Sequence, residues 1–113
     1  MTEYIYKNNI NYELAARSHN GKKDIIIKSP DGMEETFLLE TEVSAAILAF
    51  RGRQKKPLIF EKNKSKLEIL CENASALHKV PIYNIRINDI EIKLNLNDYE
   101  LFREMVYKIM LCP

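Results

Sequence analysis

The residues in this chain with the most to offer chemically are cations. Between positions 51 and 66 (RGRQKKPLIFEKNKSK) stand Arg51, Arg53, Lys55, Lys56, Lys62, Lys64 and Lys66 against Glu61 alone, a local net charge of +6. The whole chain of 113 residues carries only +1, so the remainder is near −5. A near-neutral protein that concentrates its cations builds a local field rather than a general one. Phosphate backbones respond to such a patch by releasing condensed counterions, and sheet positions nearby can stack on or hydrogen-bond to bases. Tyr83 and Arg86 fall on a strand placed to supply base contacts, and Lys22, Lys23 and Arg17 around an earlier hairpin could extend the surface. The same cations suit an acidic protein partner, and lysines also guard sheet edges against aggregation. Phe60, inside the patch, reads as core within Leu58-Ile59-Phe60.

Other constellations are thinner. His19 and His78 are the only histidines, and Cys71 and Cys112 lie 41 positions apart with no CxxC spacing. A zinc site needs three or four converging ligands, which these do not supply. Ser29 precedes Pro30 in a turn and Ser44 falls in a helix, neither in a nucleophile-elbow pattern. Glu34, Glu35, Glu40 and Glu42 could bind a cation or act as acid–base pairs, but a solvated rim beside a helix start accounts for them. Three scattered glycines make no phosphate-cradling loop. The reading is a non-enzymatic protein without metal or cofactor.

Positioning such residues requires a core, and 46% hydrophobic with 29% charged residues suits one globular domain over 1–113. Met1-Thr-Glu-Tyr lacks the basic start of a signal peptide, and no apolar run approaches the ~20 residues of a membrane span. That points away from a membrane and toward the cytoplasm, with the two thiols reduced.

The elements come in a repeated order. Residues 33–51 (MEETFLLETEVSAAILAFR) run from an extended stretch through Thr41, as a cap, into a helix over 42–51 that Gly52 is placed to end. Residues 89–107 (DIEIKLNLNDYELFREMVY) do the same with Asn97 as cap and Glu100 as its capping-box partner. Upstream of each helix lie extended segments: 4–6, 10–17, 24–28 and 35–39 in one half, and 58–61, 66–71, 80–87 and 90–96 in the other. Residues 10–17 alternate in period two, which favours a strand, although Tyr12–Arg17 also has helix propensity. Residues 72–79 fit either a loop or one helical turn. The last helix should turn Tyr99, Phe102, Met105, Val106 and Ile109 inward and pair Glu104 with Lys108 outside.

The fold expected is α+β, two pseudo-repeated β-β-β-β-α units over 1–52 and 57–110 joined by the basic linker 52–57, with antiparallel sheets backed by two helices. This order resembles that of Whirly proteins, PUR repeats, kinetoplastid mitochondrial RNA-binding proteins and dimers of the positive-cofactor-four type. The resemblance implies curved sheets whose exposed surfaces or edges bind single-stranded DNA or RNA. It covers element order across the chain and carries no motif residues. The sequence thus leads to single-stranded nucleic-acid binding by Arg51, Arg53, Lys55, Lys56, Lys62, Lys64 and Lys66, with Tyr83 and Arg86 at bases. The alternative is an adaptor or immunity-type domain for an acidic protein partner. Exposed sheet edges leave room for a homodimer under either reading.

Overall fold

The computed structural model describes residues 1–52, 56–73 and 80–113. Strands β1 (Thr2–Lys7), β2 (Glu13–His19), β3 (Lys22–Lys28) and β4 (Glu34–Leu38) precede helix α1 (Thr41–Ala49). Strands β5 (Leu58–Lys62), β6 (Ser65–Glu72), β7 (Ile82–Ile87) and β8 (Ile90–Leu94) precede helix α2 (Leu96–Met110). Each set of strands forms its own antiparallel meander, β1-β2-β3-β4 and β5-β6-β7-β8. The doubled plan expected from the sequence is therefore the architecture observed.

The strand expected over 10–17 forms over 13–19: Asn11 turns left-handed (φ 65°) and leaves Ile10 exposed, while Leu14, Ala16 and Ser18 turn toward the core, alternation outweighing helix propensity. Turn chemistry sets the register. Asn20 (φ 52°) and Gly21 (φ 78°) make a two-residue hairpin between β2 and β3, and Asn63 (φ 51°) and Lys64 (φ 64°) make another between β5 and β6. Pro30-Asp31-Gly32 turns β3 into β4, with the Gly32 N–H bonded to Ser29 O at 3.1 Å.

α2 touches β7 and β8 of its own sheet but packs more extensively on the other one. α2 packs on β1 and β2 of the first sheet and against α1, while α1 reaches β5 of the second. The sheets themselves meet where β3 touches β8 and β4 crosses β6 and β7. Leu14, Ile25, Ile27 and Phe37 from one sheet, Leu67, Ile69, Ile85 and Ile92 from the other, and Val43, Ile47, Phe102, Val106 and Ile109 from the helices form one continuous core.

Both helix starts differ from expectation. Thr41 is already helical; the N-cap is Glu40, whose side chain makes no capping bond and pairs instead with Lys62. α2 starts two residues early, because Asn95, not Asn97, is extended and accepts the Asp98 N–H at 2.8 Å. Leu96 continued the apolar alternation of Ile90, Ile92 and Leu94 and so masked the boundary, yet it lies in the helix. Glu100 is consequently no capping-box partner; it binds Arg103 Nη1 at 2.7 Å. Tyr99, Phe102, Met105, Val106 and Ile109 do face inward, and Glu104 pairs with Lys108 at 3.1 Å.

α1 stops at Ala49 rather than Arg51. Phe50 turns extended to bury its ring, edge-on at 6.4 Å to both Tyr83 and Tyr99. Those two rings stack, 3.9 Å between centroids at 9°. Gly52 (φ 73°) lies so close under this cluster that a Cβ there would come within 2.5 Å of Tyr83 Oη and 2.8 Å of Cys71 Sγ. It is a close-approach glycine more than a helix stop.

Each helix ends on a cation from the other half. Arg103 Nη2 of α2 donates to Leu48 O in the last turn of α1. Lys23 of β3 donates to Met110 O at 3.0 Å and Cys112 O at 2.7 Å at the end of α2. Helix C-termini present unpaired carbonyls and partial negative charge, so these contacts pin the two units together where each is electrostatically incomplete.

Candidate nucleic-acid interface

The cations of 51–66 are carried by two different features. Lys62, Lys64 and Lys66 belong to the β5–β6 hairpin, whereas Lys56 is exposed just ahead of β5. β5 is an edge strand, pairing with β6 alone among the described residues, and its span separates Lys56 from Lys62 by roughly 20 Å. The patch is therefore a strip along a sheet edge with cations at both ends. Arg53 and Lys55 lie outside the described residues, as does His78.

Arg51 turns elsewhere. It lines a groove with Leu48, Glu100, Leu101, Arg103 and Tyr107, and its carbonyl accepts the Tyr83 hydroxyl at 3.1 Å. Tyr83 is only 2% exposed, stacked on Tyr99 inside the core, so it has no face to offer a base. Burial pushes its phenol up, as it does the adjacent Cys71 thiol. Tyr83 does lie on the strand expected over 80–87, but on its inner face, with Cys71 and Leu94 as its neighbours across the ladder.

Several of the remaining cations already hold carboxylates. Arg86 bonds Glu91 at 3.2 Å across β7–β8, Lys66 faces Glu61 at 4.0 Å, and Lys62 pairs with Glu40. All three pairs are solvent-exposed, where an ion pair is worth about 0–1 kcal/mol, so a phosphate can displace the carboxylate at little cost. Lys56 and Lys64 make no ion pair among the described residues.

The tertiary structure assembles a site of different membership. The β2–β3 and β5–β6 hairpins, one from each sheet, flank one groove beside β4. Lys22, Asp24, Thr36, Phe37, Leu38, Lys62, Asn63 and Ser65 line this groove, of about 240 Å³. Ser65 Oγ reaches Thr36 O at 3.3 Å, and Asn88 Nδ2 bonds Glu35 Oε2 at 2.8 Å, holding the hairpin against β4. Asp24, the carboxylate in the groove, is engaged bidentately by Arg17 at 2.8 and 3.1 Å. Arg17 is thereby spent on neutralising it, while Lys22 lines the groove.

Asn63 and Ser65 were not singled out from the sequence. The signal was present in the turn itself, since Asn63-Lys64 is a two-residue loop flanked by alternating strands. Lys64 stands in left-handed backbone, where glycine is preferred and other residues cost about 1–2 kcal/mol. Among the described residues no three His, Cys, Asp or Glu side chains gather as a metal site. No family model and no curated protein matches this chain.

Proposed function

We propose that this protein binds single-stranded nucleic acid, seating the phosphate backbone in the groove between its β2–β3 and β5–β6 hairpins. The observation that carries the reading is the convergence of Lys22 and Lys62 in one groove, from strands of different sheets. Lys64 at the adjoining tip adds a third cation, and Asn63 and Ser65 add neutral donors. A cation kept at a backbone position that favours glycine fits a residue retained for contact rather than for folding. Lys56 would extend the path toward the far end of β5, and Lys66 and Arg86 would join by exchanging carboxylate for phosphate.

Fluorescence anisotropy with labelled single-stranded DNA, single-stranded RNA and duplex DNA over a salt series tests this. Three phosphate contacts give a log–log salt slope near −2, at about −0.7 per contact on single strands. Substituting Lys22 and Lys62 with Glu should abolish binding while leaving the circular dichroism spectrum intact. Salt-insensitive binding, or none at micromolar protein in low salt, would reject the proposal.

One observation favours the second reading, an acidic protein partner. Lys62, Lys66 and Arg86 hold carboxylates within this chain already, which is the chemistry an Asp- or Glu-rich segment would present. An acidic partner that co-purifies, and that nucleic acid fails to displace, would select it.

A further inference from the structure

Strand β1 is an open edge, paired with β2 alone among the described residues. The Asn8 N–H bonds Tyr12 O at 3.0 Å and continues the β1–β2 register. Antiparallel partners alternate, so Thr2, Tyr4 and Tyr6 direct their backbone groups to β2. The N–H and C=O groups of Glu3, Ile5 and Lys7 therefore point away from the sheet. Their side chains share the outer face, where Ile5 is 56% exposed. Glu3 and Lys7 take part in no ion pair among the described residues. An extended edge with free backbone groups is a pairing template.

We propose that β1 is a self-complementary edge through which two copies of this chain join, antiparallel, into one continuous sheet. With the two-fold axis at Ile5, Ile5 of each copy exchanges backbone hydrogen bonds with Ile5 of the second. Glu3 of each lies opposite Lys7 of the other, so both ends of the seam carry opposite charges. The hydrogen-bonding groups that must face outward in this register are those that do. On the outer face Ile5 already sits beside Ala15, and Ala15 beside the buried Ile26, so pairing joins two apolar rows and covers the exposed ends of both.

The inner face accommodates the same symmetry. α2 lies over β1 and β2, and strands are 4.7–4.9 Å apart, so the two copies of α2 would run with axes about 10 Å apart, at the distance of packed helices. The stripe of α2 toward β1 is marked by Asp98, bonded to Tyr6 at 2.7 Å, and Lys108, 5.4 Å over the Tyr4 ring. Leu101, on that stripe, is 48% exposed. The two-fold places Tyr4 opposite Tyr6 of the second copy, and so brings Lys108 toward Asp98 across the seam.

Sedimentation velocity on the intact chain over a concentration series tests the proposal. The wild type should reach a mass twice 13.2 kDa. Glu3→Lys alone or Lys7→Glu alone sets like charges opposite each other at both ends of the seam and should weaken association by about tenfold or more. The two single variants mixed should form a heterodimer, and Glu3→Lys combined with Lys7→Glu in one chain should restore the homodimer. A wild type that stays monomeric would overturn the proposal. So would a dimer indifferent to the single reversals, or single variants that fail to recombine when mixed.

Discussion

Gly52→Ala separates packing from backbone strain at the junction that joins the two units. Gly52 and Gly21 have nearly the same φ, 73° and 78°, but different surroundings. Around Gly21 nothing lies within 4 Å of an added Cβ, whereas at Gly52 that atom meets Tyr83 Oη at 2.5 Å, Cys71 Sγ at 2.8 Å and Tyr83 Cζ at 3.0 Å. Gly21→Ala should therefore carry only the left-handed penalty, about 1–2 kcal/mol. Gly52→Ala carries the same penalty plus overpacking of about 1–3 kcal/mol, because Tyr83 is pinned between Tyr99 and the Arg51 carbonyl and cannot swing aside. Urea unfolding followed by tyrosine fluorescence reads the difference. With m near 1–3 kcal/mol/M, the Gly52→Ala midpoint should lie about 1 M below that of Gly21→Ala. Adding Tyr83→Phe removes the nearest atom and should recover part of the loss in the Gly52→Ala background, a positive coupling in the double-mutant cycle. Equal midpoints for the two alanine variants would refute the close approach, and with it the wedge assigned to Gly52.

Arg103→Met should destabilise the fold by about 2 kcal/mol, because the Leu48 carbonyl loses its donor and the end of α1 its cation; urea midpoints check this, and Arg103→Lys should recover only part. Lys64→Gly should stabilise by about 0.5 kcal/mol while weakening nucleic-acid binding and flattening the salt slope by about 0.7, opposite signs in two assays on one variant. Burial, together with the hydrogen bond to Asp98, raises the Tyr6 phenol to about 12 from its ordinary 10.0. The folded state then holds this proton more tightly than the unfolded one, so the contribution is complete below pH 10 and is lost as pH rises through about 12. Urea midpoints measured across that window should fall less steeply in Tyr6→Phe than in the wild type, with buried Tyr83 and Tyr99, also raised, supplying the remaining slope.

The doubled β-β-β-β-α order, the strand at residues 13–19, the hairpins at Asn20-Gly21 and Asn63-Lys64 and the inner stripe of α2 were all determined by local rules. Alternation, turn dipeptides and i, i+3, i+4 spacing act within a few residues and are written in the chain. The helix starts were less legible: Leu96 extended the alternation past the strand, and Asn95 and Asn97 are equally good caps by type. Tertiary structure alone decided that α2 would cover the first sheet, that Arg103 and Lys23 would close the ends of the opposite unit's helix, and that Tyr83 would turn inward onto Tyr99. It likewise decided which cations meet. Lys62 and Lys64 share a neighbourhood with Lys22, some forty positions earlier, rather than with Lys56 at the near end of the same strand. The physical reason is that charge clustered along a sequence is spread out by a strand at about 3.4 Å per residue, whereas two sheets crossing at β4 bring distant hairpins together.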